Sequence, residues 1–166
     1  MSLVHTDEVR SLGGWMLVAV QAVLLITLVL VPRADPSPVR IAIGGLLIFA
    51  GVVLGVVGGL RLGPALTPTP VPLADAGLRT SGPYSLIRHP IYTAVLLGAI
   101  GFATAIGTWW TWLVAALLVL FFWSKSRWED SLLREAYGDA WVQWSRRTGA
   151  LLPRLARWNS GSRGGG

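Results

Sequence analysis

The sequence predicts an all-α integral membrane protein, with four transmembrane helices followed by a cytoplasmic amphipathic helix. Three observations carry that expectation. Hydrophobic residues make up 53% of the 166-residue chain and charged residues only 13%, about half the charged share of a soluble domain. Apolar runs long enough to cross a hydrocarbon core of roughly 30 Å recur along the chain. Prolines and glycines punctuate those runs, and most of the charges fall between and after them. No room is left beside the spans for a water-soluble catalytic domain.

Charge and rare residues exclude several function classes. The formal net charge is +6, but the basic residues sit where the positive-inside rule and anionic lipid already account for them, and no basic face or reader motif points to nucleic acid. Cysteine is absent, which removes disulfides, thiol nucleophiles and cysteine-based zinc sites. The two histidines, His5 and His89, lie far apart, so no protein metal site is expected.

The elements follow in order. Residues 12–31 form the first span, broken only by Gln21 and Thr27 and ended by Pro32. It is too long for a signal-peptide core and is expected to be retained. The short proline-rich connector predicts an antiparallel return through 39–62, where Gly51, Gly55 and Gly59 offer a small-residue stripe for close helix packing. A cytoplasmic loop over 63–89 begins with Pro64, Pro68, Pro70 and Pro72, an extended, stiff composition. Residues 90–107 form the third span. Trp109, Trp110 and Trp112 then anchor the start of a short fourth span, 109–123, at a headgroup boundary.

Beyond it, 124–147 places Leu133, Tyr137, Ala140, Trp141 and Trp144 at three- and four-residue steps, the period of a helix lying along an interface or against the bundle. Gly138 marks a break. A single membrane domain is thus expected over 1–158, with a flexible tail at 159–166. Arg61, Arg79 and Arg88 surround the loop between spans two and three, and most remaining cations follow span four, so both termini are expected in the cytoplasm, bacterial plasma membrane being the natural setting. Arg33 and Arg40 on the other side weaken that bias without reversing it.

Chemistry concentrates in two stretches that this topology puts on one face. The first is 82–92, Gly-Pro-Tyr-Ser-Leu-Ile-Arg-His-Pro-Ile-Tyr, in which Pro90 starts a helix and biases His89 away from helical geometry. The second is Lys125, Arg127, Glu129, Asp130 and Glu135, where Glu129 and Asp130 are the one adjacent carboxylate pair. Each also has a plain reading, as a membrane-entry cap and a solvated helix face.

Together these residues carry a resemblance. Gly82-Pro83-Tyr84, Arg88-His89-Pro90-Ile91-Tyr92, Glu129-Asp130-Ser131-Leu132-Leu133, Tyr137-Gly138 and Leu152-Pro153 resemble, in order and spacing over 68–153, the isoprenylcysteine carboxyl methyltransferase and phospholipid methyltransferase superfamily. The resemblance implies helices whose cytoplasmic end binds S-adenosylmethionine, with a lipophilic small-molecule acceptor arriving from the bilayer. Carried across, Tyr84, Arg88, His89, Pro90, Tyr92, Glu129 and Asp130 form the cofactor side, and Glu129, Arg127 and His89 the catalytic set. Asp130 departs from the family's usual Glu, and Trp141 and Trp144 stand in place of tyrosines. A carboxylate acceptor needs no base and Arg127 would steer it; an amine acceptor needs a proton sink, for which Glu129 or His89 would serve. Two alternatives remain: a non-catalytic bundle partner, and a nicotinamide-dependent isoprenoid or sterol reductase, for which no GxGxxG loop is present.

Overall fold

The structure is a computed structural model that describes residues 2–63 and 77–154, with side chains from residue 12 onward. Pro64, Pro68, Pro70 and Pro72 of the expected stiff loop, and the tail at 159–166, lie outside the described residues. Four helices follow in order: α1 (Ser2–Leu30), α2 (Pro38–Leu62), α3 (Pro90–Ile106) and α4 (Trp109–Arg147), with a short 3-10 turn at Gly82–Ser85. Among the described residues there is no strand, only two isolated bridges, Arg33 with Gly107 and Ile87 with Gly149.

Among the described residues, three segments are long and apolar enough to cross a membrane: Leu12–Leu30, Pro38–Leu62 and Trp109–Arg147. Pro90–Ile106 is apolar but shorter. The expected short fourth span runs on as helix into the amphipathic segment, and the 39 residues of α4 are two helices joined across a kink at Gly138. Gly138 alone departs from helical geometry within it, at φ 52°, a region that costs a residue with a side chain far more than glycine.

Local signals explain the boundaries. Ser37 caps α2, its hydroxyl accepting from the Arg40 amide at 3.3 Å, and Pro38 takes the first helical position, where no amide is needed. At the opposite end of the bundle from Glu129, the guanidinium of Arg40 donates to the carbonyls of Thr104 (2.9 Å) and Gly107 (2.7 Å), satisfying orphan acceptors at the end of α3. Thr108 and Thr111 form a capping box that opens α4.

Helices α2 and α3 run antiparallel in close contact. The fully buried glycines on α2 are Gly44, Gly51 and Gly58, a seven-residue seam that Gly55 of the expected Gly51, Gly55, Gly59 stripe also adjoins, since a Cβ there would stand 3.3 Å from that of Ala94. Seven residues are close to two helical turns, which keeps one face on a long antiparallel partner. A side chain at Gly51 would stand 2.7 Å from the Ala94 carbonyl. The apolar core lies where α1, α3 and α4 meet, built from Leu28, Leu96, Ala99, Ala103, Val114, Leu118 and Phe122. Leu46, Phe49, Val53 and Leu60 face outward from α2, a surface suited to lipid tails rather than water.

Candidate active site

The site forms where the start of α3 meets the middle of α4. Leu86 closes the 3-10 turn in helical geometry, and His89, ahead of the Pro90 ring, stands outside it at φ −121° and ψ 63°. Residues 86–89 pair with the segment that follows α4. The amides of Arg88 and His89 donate to the carbonyls of Gly149 (2.8 Å) and Ala150 (3.1 Å), and the Gly149 amide returns a bond to Leu86 (3.1 Å). Thr93 extends the seam by donating its hydroxyl to the Leu151 carbonyl at 2.6 Å. From the other flank the Trp144 indole donates to the Tyr84 carbonyl at 2.9 Å.

Asp130 is the hub. Its carboxylate accepts from Arg88 Nε (3.1 and 3.2 Å), from Arg88 Nη2 (2.8 Å) and from His89 Nε2 (3.0 Å). Glu129 Oε2 accepts the Tyr92 hydroxyl at 2.6 Å and lies 3.3 Å from His89 Nδ1. Adjacent positions on a helix point about 100° apart, yet both carboxylates reach the same ring because the imidazole carries nitrogens on two edges. With an acceptor at each nitrogen, both bonds form only when the ring is protonated. Burial by itself would lower the pKa of His89, but the hydrogen bonds and charges of Asp130 and Glu129 outweigh it and push it up to about 9. Two cations and two anions thus neutralise one another in a largely buried cluster, the arrangement such burial demands.

Aromatic groups pack this cluster. His89 and Tyr92 stack with centroids 5.3 Å apart and planes 5° from parallel. Arg88 Nη1 donates to the Thr148 carbonyl at 2.7 Å, and the guanidinium lies 5.8 Å from the Trp141 ring centroid. The buried Tyr84 hydroxyl donates to the Gly58 carbonyl at 3.4 Å. Its pKa is pushed up to about 12 by burial first and by the charge of Glu129 second. Pro90 is fully buried and begins α3, a structural place in the site rather than a polar one.

Arg88, His89, Tyr92, Glu129 and Asp130, all named from sequence, therefore converge, with Tyr84 on the α2 side. Arg127 does not join them: it is exposed on another face of α4, its guanidinium 5.6 Å from the Trp123 ring centroid. Sequence reasoning missed the Gly149–Leu151 pairing, which has no local signature, and the partner of Lys125. That ammonium donates to Gln21 Oε1 at 2.9 Å, and a lone amide inside an apolar run was the available signal. Among the described residues, no group of three or more His, Asp or Glu side chains is arranged to hold a metal.

Two clefts adjoin the cluster. One of about 410 Å³ is lined by Arg88, Trp141, Arg146, Thr148 and Arg154; the other, of about 550 Å³, by Leu78, Ser85, Gln143, Trp144 and Arg147. Both fall in the size range of small-molecule sites, roughly 300–1,000 Å³. The Trp141 indole nitrogen is a buried side-chain donor with no partner among the described residues.

Known proteins resemble this chain in family and in fold. The family model described as phospholipid methyltransferase matches residues 39–140. The cobalt-zinc-cadmium resistance protein CzcN of Cupriavidus metallidurans is 40% identical over 80 residues, which is 48% of this chain and 37% of that protein. The eukaryotic intramembrane Ras methyltransferase ICMT, isoprenylcysteine carboxyl methyltransferase, shares the fold with a TM-score of 0.64 at 18% identity, over 92% of this chain and 54% of that one. The chain thus spans little more than half of the one relative and well under half of the other. The family match runs from α2 into α4 past both Glu129 and Gly138, and by it the chain belongs to the phospholipid methyltransferase family.

Proposed function

We propose that this protein is an integral membrane methyltransferase that uses S-adenosylmethionine to methylate a lipophilic acceptor drawn from the bilayer. The observation that carries the reading is the union of Arg88, His89 and Tyr92 with Glu129 and Asp130 beside two clefts rich in arginine and tryptophan. The residues suit the cofactor's chemistry. Its carboxylate finds cations at Arg146 and Arg154 and a free donor at Trp141; its adenine finds an apolar and aromatic wall at Leu78 and Trp144. When bound, the cofactor supplies an electrophilic methyl group on a sulfonium sulfur.

The protein's own task is then to align two reactants and exclude water. Asp130 holds Arg88 and His89 in place, so these two shape the cofactor side through the cluster as well as by direct contact. Glu129, oriented by Tyr92 and His89, complements positive charge, and Tyr84 and Pro90 fix the floor. Arg127, on its outer face, is left out of the catalytic set. The site end of the bundle is assigned to the cytoplasm. Arg33 and Arg40 stand at the other end, and the cations Arg61, Arg79, Arg88, Arg146 and Arg147 at the site end outnumber them.

The test is ligand-linked stability. Purified protein is expected to melt higher in S-adenosylmethionine or S-adenosylhomocysteine than in adenosine or NADPH. Folded protein indifferent to both sulfur nucleosides would remove the reading.

A further inference from the structure

Lys125 is a buried charge outside the cluster at His89. It is only 2% exposed, and among the described residues no carboxylate forms an ion pair with it: Asp130 is taken by Arg88 and His89, and Glu129 lies against His89. Its hydrogen-bond partner among them is Gln21, at 2.9 Å, which leaves donors of a three-donor group available. Otherwise the ammonium faces rings, 5.0 Å from the Tyr92 centroid and 6.0 Å from those of Phe121 and Phe122. A cation held within the membrane part of a protein is costly without a counter-charge.

Two facing stripes of side chains surround it. Gly13, Leu17 and Gln21 recur at four-residue steps on α1, and Phe121, Lys125 and Trp128 at steps of four and three on α4, so each set lies on one helix face. The stripes meet antiparallel, since a Cβ at Gly13 would stand 3.8 Å from the Trp128 ring while Gln21 meets Lys125. Between them lies a cleft of about 300 Å³, lined by Gly13, Leu17, Phe121, Ser124, Lys125 and Trp128. Gly13 is the second residue of the first apolar span, and Trp128 offers an indole suited to the headgroup boundary. That end of the cleft therefore stands at headgroup depth, within reach of a lysine stem that can snorkel.

We propose that this cleft binds one anionic phospholipid, its phosphodiester on Lys125 and an acyl chain along Leu17 and Phe121. The counter-charge comes from what this surface meets, a leaflet containing anionic lipid. A zwitterionic lipid brings a quaternary ammonium as well, which the fixed charge of Lys125 repels where screening is poor. Free phosphate would leave the apolar walls uncovered. The occupant is not a methyl acceptor, because the cleft shares no lining residue with the two beside the cluster. It ties α1, which lies outside the matched family region, to α4.

The test reads lipid retention by native mass spectrometry on the full chain in neutral detergent, titrated with dioleoyl phosphatidylglycerol, dioleoyl phosphatidylcholine or inorganic phosphate. The tightest-bound lipid is expected to be phosphatidylglycerol, preferred about tenfold over phosphatidylcholine, the discrimination one charge-assisted hydrogen bond supplies. Inorganic phosphate at the same concentration should not displace it. Lys125→Met should remove the preference and Lys125→Arg should keep it. Arg127→Gln, which deletes an exposed cation on another face of α4, should also keep it. Equal retention of the two lipids, wild-type preference in Lys125→Met, an equal loss in Arg127→Gln, or displacement by inorganic phosphate would overturn the proposal. Should Lys125→Met not fold, Leu17→Trp decides instead: it fills the cleft and leaves the ammonium in place, so an undiminished preference in that variant overturns the proposal and a lost one supports it.

Discussion

The Arg88 guanidinium and the Asp130 carboxylate meet edge to edge, with Nη2 2.8 Å from Oδ2 and Nε within 3.2 Å of both oxygens, across 42 residues of sequence. Both side chains are nearly buried, at 13% and 10% exposure. Asp130 is the position that departs from the family's usual Glu, and the contact explains how the shorter acid serves. It sits against Arg88 and His89 directly, leaving Glu129 to reach Tyr92.

Removing one partner of a buried pair leaves the other charge uncompensated. Asp130→Ala is therefore expected to destabilise the protein by about 3–5 kcal/mol, read as a large fall in melting temperature in detergent. Arg88→Lys should fall between wild type and Asp130→Ala, because an ammonium cannot make the two-toothed contact. A melting temperature for Asp130→Ala equal to wild type would contradict the hub role.

The His89 pKa gives stability a direction with pH. Unfolded, the ring titrates near 6.5; folded, its pKa is pushed up to about 9. A raised folded pKa means that the stabilisation is fully present below about 6.5 and is lost as pH rises through 9. Melting temperature should therefore decline between those values, and His89→Gln should flatten the decline. An identical slope in both proteins would place the titration elsewhere.

Tyr92→Phe keeps the ring stack with His89 and deletes one hydroxyl. The bond lost is to an ionised carboxylate, so a cost of about 1.5–3 kcal/mol is expected, with Glu129 also less well oriented. Weaker stabilisation by S-adenosylhomocysteine at unchanged helical content is the readout.

The glycine seam separates two substitutions that look alike in sequence. Gly51→Leu should disrupt the α2–α3 pair, since a Cβ there would stand 2.7 Å from the Ala94 carbonyl. Gly45→Ala meets nothing within 4 Å and should be neutral or slightly stabilising through helix propensity. Thermal stability of the two variants in the same detergent decides it.

Arg127→Ala should leave stabilisation by S-adenosylhomocysteine intact, since its guanidinium lies outside the cluster over Trp123. Arg88→Ala, by contrast, should abolish it.

Much of this was readable from the chain because the relevant physics is local. Hydropathy located the long helices, Pro90 marked a helix start, and Gly138 marked the break. The residues now seen around His89 were also named from their motif. What the chain did not announce depends on partners far apart. Gln21 and Lys125 meet across 104 residues, and nothing near either specifies the other. The seven-residue glycine seam required knowing that α3 lies along α2, and Arg127 was expected beside the site although its guanidinium lies over Trp123 on another face of α4.

The pairing of residues 86–89 with 149–150 has a consequence for biosynthesis. Helices α1 to α3 can enter the bilayer as they emerge, but the Arg88 and His89 amides have no bridge partners until Ala150 has been made, and Arg88 also lacks the Thr148 carbonyl. Completion of the site thereby waits for the segment that follows α4. A nascent chain halted before that point would hold inserted helices and no assembled site.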